Sequence, residues 1–285
     1  MRLEPIGIWS AVFRSDAPEI DDAARELEDL GFGALWVPGG LGGDVFGPCA
    51  RLLNATGHVV VATGVLNIWA HDPLEVAEAV RDLGATFPDR FLLGLGVSHA
   101  PLVERMGAVY ERPYEVMVAY LDALDRAPNP VAPAGRALAA LGPRMLELAR
   151  DRTAGAHPYL VTPEHTRFAR EELGLGPLLA PEVKVVLESD PVAARATARR
   201  HLTHYFGLPN YTNNLRRFGF TDADFADGGS DRVVDAVVAW GDGPTVSRRV
   251  HEHLDAGADH VCIQLLTDDP GVPVAGWREL AAAVL

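Results

Sequence analysis

Lysine is almost missing from this 285-residue chain: Lys184 is the single lysine among 25 basic residues. With 39 acidic side chains the formal net charge is −14, which argues against nucleic acid and anionic membrane surfaces as partners. Arginine and alanine dominate instead, the composition of a GC-rich bacterial genome. Cysteine is nearly as scarce. Cys49 and Cys262 lie far apart with no Cys-x-x-Cys spacing, so neither a disulfide framework nor a cysteine zinc site is implied. No apolar run reaches the roughly 18 residues that a membrane helix needs. The opening MRLEPIGIWS has no basic stretch followed by an apolar segment of signal-peptide length, so a cytoplasmic location is expected.

Some motifs are missing as well. There is no Gly-x-Ser-x-Gly elbow and no phosphate-binding Walker loop. Gly94-Leu95-Gly96 has the start of a dinucleotide fingerprint, but His99 stands where its third glycine belongs. His201 and His204 share a helix face, and His251 and His253 are close in sequence. No carboxylate or cysteine completes a ligand set beside them, so no metal is expected.

What is present reads as alternating strands and helices. Hydrophobic residues make up 48% of the chain, enough to bury one large core, and a single domain over residues 1–285 is expected. Apolar runs mark strands near Ile6–Trp9, Ala34–Val37, Val59–Thr63, Phe91–Gly96, Ala137–Leu141, His157–Val161, Val183–Leu187 and His260–Leu265. Amphipathic segments lie between them, among them Asp21–Leu30, Leu74–Gly84 and Arg144–Asp151. Such alternation means parallel pairing, and eight strands close a barrel. The expected fold is therefore α/β, a (β/α)8 TIM barrel. Residues 189–243 form a long, partly helical insertion between its seventh and eighth strands. They carry FGLPNYTNNLRRFGF, Phe206–Phe220, where aromatics alternate with Asn and Arg, and an insertion of this kind covers the barrel mouth or serves as a contact or solvated segment.

Barrel enzymes act at the carboxyl ends of their strands, which selects the residues to watch. His99 follows the fourth strand; Asn67, Trp69 and His71 lie in the loop after the third. The two histidines are candidate catalytic groups, although each could equally be a structural residue at a helix start. Leu141-Gly142-Pro143-Arg144 and Thr162-Pro163-Glu164-His165 both open helices, where free N–H groups and the helix dipole attract anions; ordinary capping explains the same residues.

At these residues the chain resembles the luciferase-like monooxygenase superfamily, and within it the coenzyme F420-dependent oxidoreductases. The matching stretches are LEDLGFGALWVP (27–38), VVVATGVLNIWAHDP (59–73), FPDRFLLGLGVSH (87–99), ALGPRMLELARDRTAGAHPYLVTPEHT (140–166) and GADHVCIQLL (257–266). The resemblance implies a deazaflavin lying over the strand ends and a bulge at Gly64-Val65, often with a non-prolyl cis peptide, behind the ring and next to Asn67. It also implies a cofactor phosphate on Leu141, Gly142, Pro143 and Arg144 and on Thr162, Pro163 and His165. Trp69, Asn210 and Tyr211 are expected against the substrate, and a homodimer is the family's usual assembly.

Where this branch usually carries an acidic residue and a histidine after the second strand, this chain has Val37-Pro38-Gly39-Gly40, so an inherited alcohol-oxidising base is in doubt. The usual excursion before the fifth strand is shortened to the proline-rich link 129–135. The expected activity is hydride exchange between deazaflavin C5 and a small organic substrate, with reduction of an activated C=C or C=N bond ahead of alcohol oxidation. An FMN-dependent luciferase-like monooxygenase is the alternative, and a non-catalytic flavin-binding barrel the second.

Overall fold

The computed structural model describes residues 3–40 and 42–285. Its elements run β1 (Ile6–Trp9), α1 (Ile20–Leu30), β2 (Ala34–Gly39), α2 (Phe46–Ala55), β3 (Val60–Asn67), α3 (Pro73–Thr86), β4 (Phe91–Gly96), α4 (Ala100–Arg105) and α5 (Pro113–Arg126). The middle of the chain adds β5 (Arg136–Leu138), α6 (Pro143–Arg152), β6 (Gly155–Ala156), α7 (Pro163–Leu173), β7 (Leu178–Leu179) and β8 (Glu182–Val186). The remainder is α8 (Pro191–Phe206), α9 (Pro209–Arg217), α10 (Asp222–Phe225), α11 (Asp231–Val237), β9 (Val238–Trp240), α12 (Gly243–Asp255), β10 (Val261–Leu265) and α13 (Val274–Val284).

The strands form one curled, all-parallel ten-stranded sheet in the order β7-β6-β5-β4-β3-β2-β1-β10-β8-β9. The chain from Leu178 to Val186 is bonded on both sides: Ala180 N–H donates to Ala156 and Glu182 N–H to Pro158, while Pro181 accepts from Cys262 N–H. That double bonding curls the sheet, because β6 and β10 face the same nine residues.

Side-chain alternation sorts the core into two layers. Ile8, Leu35, Val61 and Leu93 point outward to pack against the helices, whereas Trp9, Trp36, Ala62 and Leu92 point inward and form a separate buried cluster. Both faces are covered, which is why these strands read as near-continuous apolar runs. Helix starts follow local chemistry. Asp72 accepts from the N–H groups of Leu74 and Glu75, and prolines occupy the first turn of α3, α6, α7, α8, α9 and α12, where a missing N–H costs nothing.

Two expectations are corrected. The fifth strand is Arg136–Leu138 and the sixth Gly155–Ala156, both earlier and shorter than the apolar runs. After β6, Pro158 has no N–H to donate and Leu160 takes a positive φ of 57°, so this apolar segment leaves the sheet. Residues 189–243, expected to be partly helical, hold α8 to α11 and also β9, which pairs with β8 through Lys184–Val238, Val185–Ala239 and Val186–Trp240.

Candidate active site

Beyond the strand ends lies a cavity of about 980 Å³. Its floor and walls come from β1, β3, the end of β2 and the segments that follow β1, β2, β4, β5 and β6, with a further wall from α8 and α9. Gly64, Val65, Asn67, His99, Leu141, Gly142, Asn210 and Tyr211 all line it, so eight of the sequence-selected residues converge on one space.

The floor is built from glycine. The Gly64-Val65 peptide is cis, and the pairing of β3 with β4 shifts register between Ala62 and Leu66. Side-chain bonds replace the lost ladder: Thr63 Oγ1 donates to Gly94 O at 2.7 Å and accepts from Gly94 N at 2.8 Å, while Trp9 Nε1 donates to Gly64 O at 2.7 Å. Close approach fixes the neighbouring residues. A Cβ on Gly94 would sit 2.0 Å from Thr63 O, one on Gly96 2.6 Å from Val65 Cγ2, and one on Gly39 2.9 Å from Val65 O. The glycine at position 39 is thus explained by packing. Gly94→Ala is expected to lower stability by about 1–3 kcal/mol, the usual range for an overpacked core. Denaturant unfolding tests this, and an unchanged midpoint would show that the ladder opens without cost.

Histidines occupy two sides of the cavity. His99 follows Ser98, which has a φ of 58°, and its ring lies 4.9 Å from that of Tyr211, between centroids. Burial, with a smaller contribution from His204, lowers its pKa to about 4. At neutral pH it is therefore an uncharged ring, and its buried Nδ1 has no protein partner. His157, placed by the sequence reading in a strand, also lines the cavity. It is 1% exposed and stacks on Trp36 at 4.2 Å. Its Nδ1 donates to Ala180 O at 2.7 Å, which leaves Nε2 as an unpartnered acceptor 3.3 Å from where a Cβ on Gly64 would lie. Burial pushes its pKa down to about 4.

A polar end lies at the start of α6. Gly142 is the residue before the helix, and a Cβ there would meet Arg217 Nη1 at 2.9 Å, so the guanidinium of α9 lies against the free N–H end of α6. Asn214, 3% exposed, has neither side-chain oxygen nor nitrogen bonded to protein. A helix N-terminus, a cation and an amide seeking partners make a site for an anion with several oxygens.

The other sequence-selected residues stand back from the cavity. His165 Nε2 donates to Leu141 O at 2.9 Å, and Thr162 caps α7 by accepting from His165 N; with Pro163 they brace the cavity wall from behind. Pro143 begins α6, while Arg144 turns onto the Tyr114 ring at 4.2 Å and toward Glu115. Trp69 donates from Nε1 to Val97 O at 2.8 Å, supporting the segment that carries His99. His71 accepts through its carbonyl from Tyr120 Oη, and burial followed by the Arg14 charge lowers its pKa. Among the described residues no group of three or more His, Cys, Asp or Glu could hold a metal ion, and no helix is long and apolar enough to cross a membrane.

Residues 7–260 match the family model described as luciferase-like monooxygenase. The chain belongs to the luciferase-like monooxygenase family. Membership places it among oxidoreductases. Solved structures with the same luciferase-like fold include an F420-dependent secondary alcohol dehydrogenase in complex with an F420-acetone adduct, with a TM-score of 0.71, 14% identity and coverage of 100% of this chain and 98% of that one. The coenzyme F420-dependent tetrahydromethanopterin reductase from Methanopyrus kandleri is similar at a TM-score of 0.69, 17% identity and coverage of 100% and 99%. The oxygenating constituent of 3,6-diketocamphane monooxygenase from Pseudomonas putida, in complex with FMN, matches at 0.65, 16% identity and coverage of 100% and 99%.

In this luciferase-like chain the sequence reading missed Arg217, Asn214, His157, Tyr159 and Tyr205, all cavity residues. A signal for two of them was present. Asn210, Asn213, Asn214 and Arg217 are spaced three and four apart, which puts them on one face of a helix. Nothing local marks His157 or Tyr159, since an apolar run with aromatics reads as core.

Proposed function

We propose that this chain is an F420-dependent oxidoreductase built as a (β/α)8 barrel, in which β7 and β8 act as one barrel strand and β9 is an addition. The observation that carries the cofactor reading is the pairing, within one cavity, of the glycine floor at Gly64-Val65 with the polar end at Gly142, Asn214 and Arg217. A flat ring fits against the floor because Gly64 carries no side chain there, and a phosphate fits the polar end because donors converge on it. When bound, the deazaflavin supplies hydride exchange at C5.

The protein does the rest. Trp9 and Thr63 hold the floor in place by the bonds described above, and Asn67 ties β3 to the residue after β2 by donating to Gly40 O at 3.2 Å. His99 is uncharged at neutral pH, so in the reducing direction it can accept a proton from water and pass it to the substrate after the hydride has been added. At the end of β2 the wall offers Pro38 and Gly40 and, among the described residues, no acid–base pair, which favours reduction of an activated C=C or C=N bond over alcohol oxidation.

Separate titrations of the purified protein with F420 and with FMN test this reading. Tighter binding of F420 is expected, and tighter binding of FMN would move the chain to the monooxygenase alternative. Gly142→Val places a branched side chain against Arg217 and is expected to weaken F420 by at least about tenfold, the size of a lost hydrogen bond to a charged group. Affinity within twofold of wild type would put the phosphate elsewhere.

A further inference from the structure

Under one end of the cavity is a buried polar chain with no part in the cofactor site described so far. Lys184 and Glu182 are 0% and 1% exposed, and Lys184 Nζ donates to Glu182 Oε1 at 2.8 Å and to Gln264 Oε1 at 3.3 Å. The same ammonium lies 3.7 Å from the ring centroid of Tyr159 and 4.8 Å from that of Tyr205. Tyr159 Oη donates to Gln264 Oε1 at 2.7 Å and lies 2.8 Å from Tyr205 Oη. Both tyrosines line the cavity, with Tyr211 packed against them, and Tyr159 also packs against Trp9, whose indole holds the Gly64 carbonyl. The chain therefore reaches the cavity surface next to the glycine floor.

Proton bookkeeping fixes what this chain can do. Gln264 Oε1 can only accept, so as it stands Tyr159 gives its proton to Gln264 and Tyr205 gives its proton to Tyr159. All the donors run inward. The order can also reverse at the cost of the Tyr159–Gln264 bond: Tyr159 turns its O–H to Tyr205, which frees the Tyr205 O–H to point into the cavity, while Gln264 keeps its bond from Lys184 and the Lys184 ammonium stays against both tyrosine rings. In that order each hydroxyl polarises the next, which strengthens the outermost donor. Burial raises the Tyr205 phenol to about 12, so it stays protonated and remains a donor.

We propose that Tyr205, backed by the Tyr159 hydroxyl and by the Lys184 ammonium against both rings, is a subsite for a substrate oxygen that gains negative charge, and that the substrate class is therefore a conjugated carbonyl compound. This deepens the hydride-transfer reading above and rests on it. Hydride supplied by the reduced cofactor adds to the β-carbon of C=C–C=O, the C=C pair shifts to the α-carbon–carbonyl bond, and the carbonyl π pair moves onto oxygen. Tyr205 donates a hydrogen bond to that oxygen without losing its proton. The C=O re-forms when the α-carbon takes a proton that comes from water, so that hydride from the cofactor and a proton from solvent together saturate the C=C bond.

The main readout needs neither cofactor nor turnover. 4-Nitrophenol, whose absorbance separates phenol from phenolate, is titrated into the protein as a stand-in for the charged oxygen. The wild type is expected to bind the phenolate, Tyr205→Phe to weaken it by at least about tenfold as one hydrogen bond to a charged group is lost, and Tyr159→Phe to give a smaller loss. F420 affinity and the thermal midpoint of Tyr205→Phe are expected to be unchanged. If Tyr205→Phe does not fold, Tyr159→Phe carries the comparison. Absence of phenolate binding by the wild type, or affinity within twofold in the variant, overturns the subsite. Failure of F420 to bind while the phenolate result holds would overturn the cofactor reading alone.

Discussion

Lys184→Met is expected to destabilise the protein by about 3–5 kcal/mol at neutral pH, the cost of removing one partner from a buried ion pair. Lys184 Nζ lies 2.8 Å from Glu182 Oε1 with both side chains out of solvent, and burial already pushes the Glu182 carboxyl up and the Lys184 ammonium down. Without the ammonium, Glu182 keeps the Leu160 N–H as its remaining donor. The carboxyl must then rise further to become neutral. A raised folded-state pKa means that the folded protein binds a proton that the unfolded chain lacks, starting at the ordinary glutamate value near 4.3 and above. The deficit of the variant is therefore expected to shrink as pH is lowered. Adding Glu182→Gln to Lys184→Met removes the unpaired charge and is expected to recover much of the loss. Urea unfolding at two pH values measures all three, and a loss under about 1 kcal/mol for the single variant would mean that water reaches the pair.

His99→Ala is expected to slow single-turnover hydride transfer by roughly 10² to 10⁴, the range in which positioned acid–base groups contribute, with F420 affinity within twofold of wild type. The ring lines the cavity beside Tyr211, and its low pKa keeps it unprotonated, so its contribution is expected to persist as pH falls to about 5 and to fade near 4. His71→Ala is expected to cost much less, because His71 sits behind the loop with its carbonyl taken by Tyr120. Deazaflavin absorbance after rapid mixing follows both variants. A near-wild-type rate for His99→Ala would leave that residue with a structural role and direct attention to His157, whose unpartnered Nε2 faces the same space.

Much of this was legible in the order of residues along the chain. Parallel pairing follows from strands alternating with helices, and Asp72, Thr162 and the first-turn prolines start helices through bonds that span only a few residues. The glycine floor was legible by resemblance, since Gly64-Val65 stands inside a long matching stretch. Tertiary structure decided the rest. Arg217 comes to Gly142, 75 residues away in sequence, because α9 folds over the strand ends, and no local pattern encodes that approach. Thr162 and His165 looked equivalent to Gly142 as a helix start, yet His165 turns its donor to Leu141 and only the α6 start faces the cavity. Lys184, conspicuous in the sequence as the one lysine, acquires meaning only where β8, β10 and the segment after β6 meet, bringing Glu182, Gln264 and Tyr159 around it. Periodicity reports which face of an element is buried; it carries no information on which distant side chain that face will meet, and both proposed chemical ends of this cavity are made of such meetings.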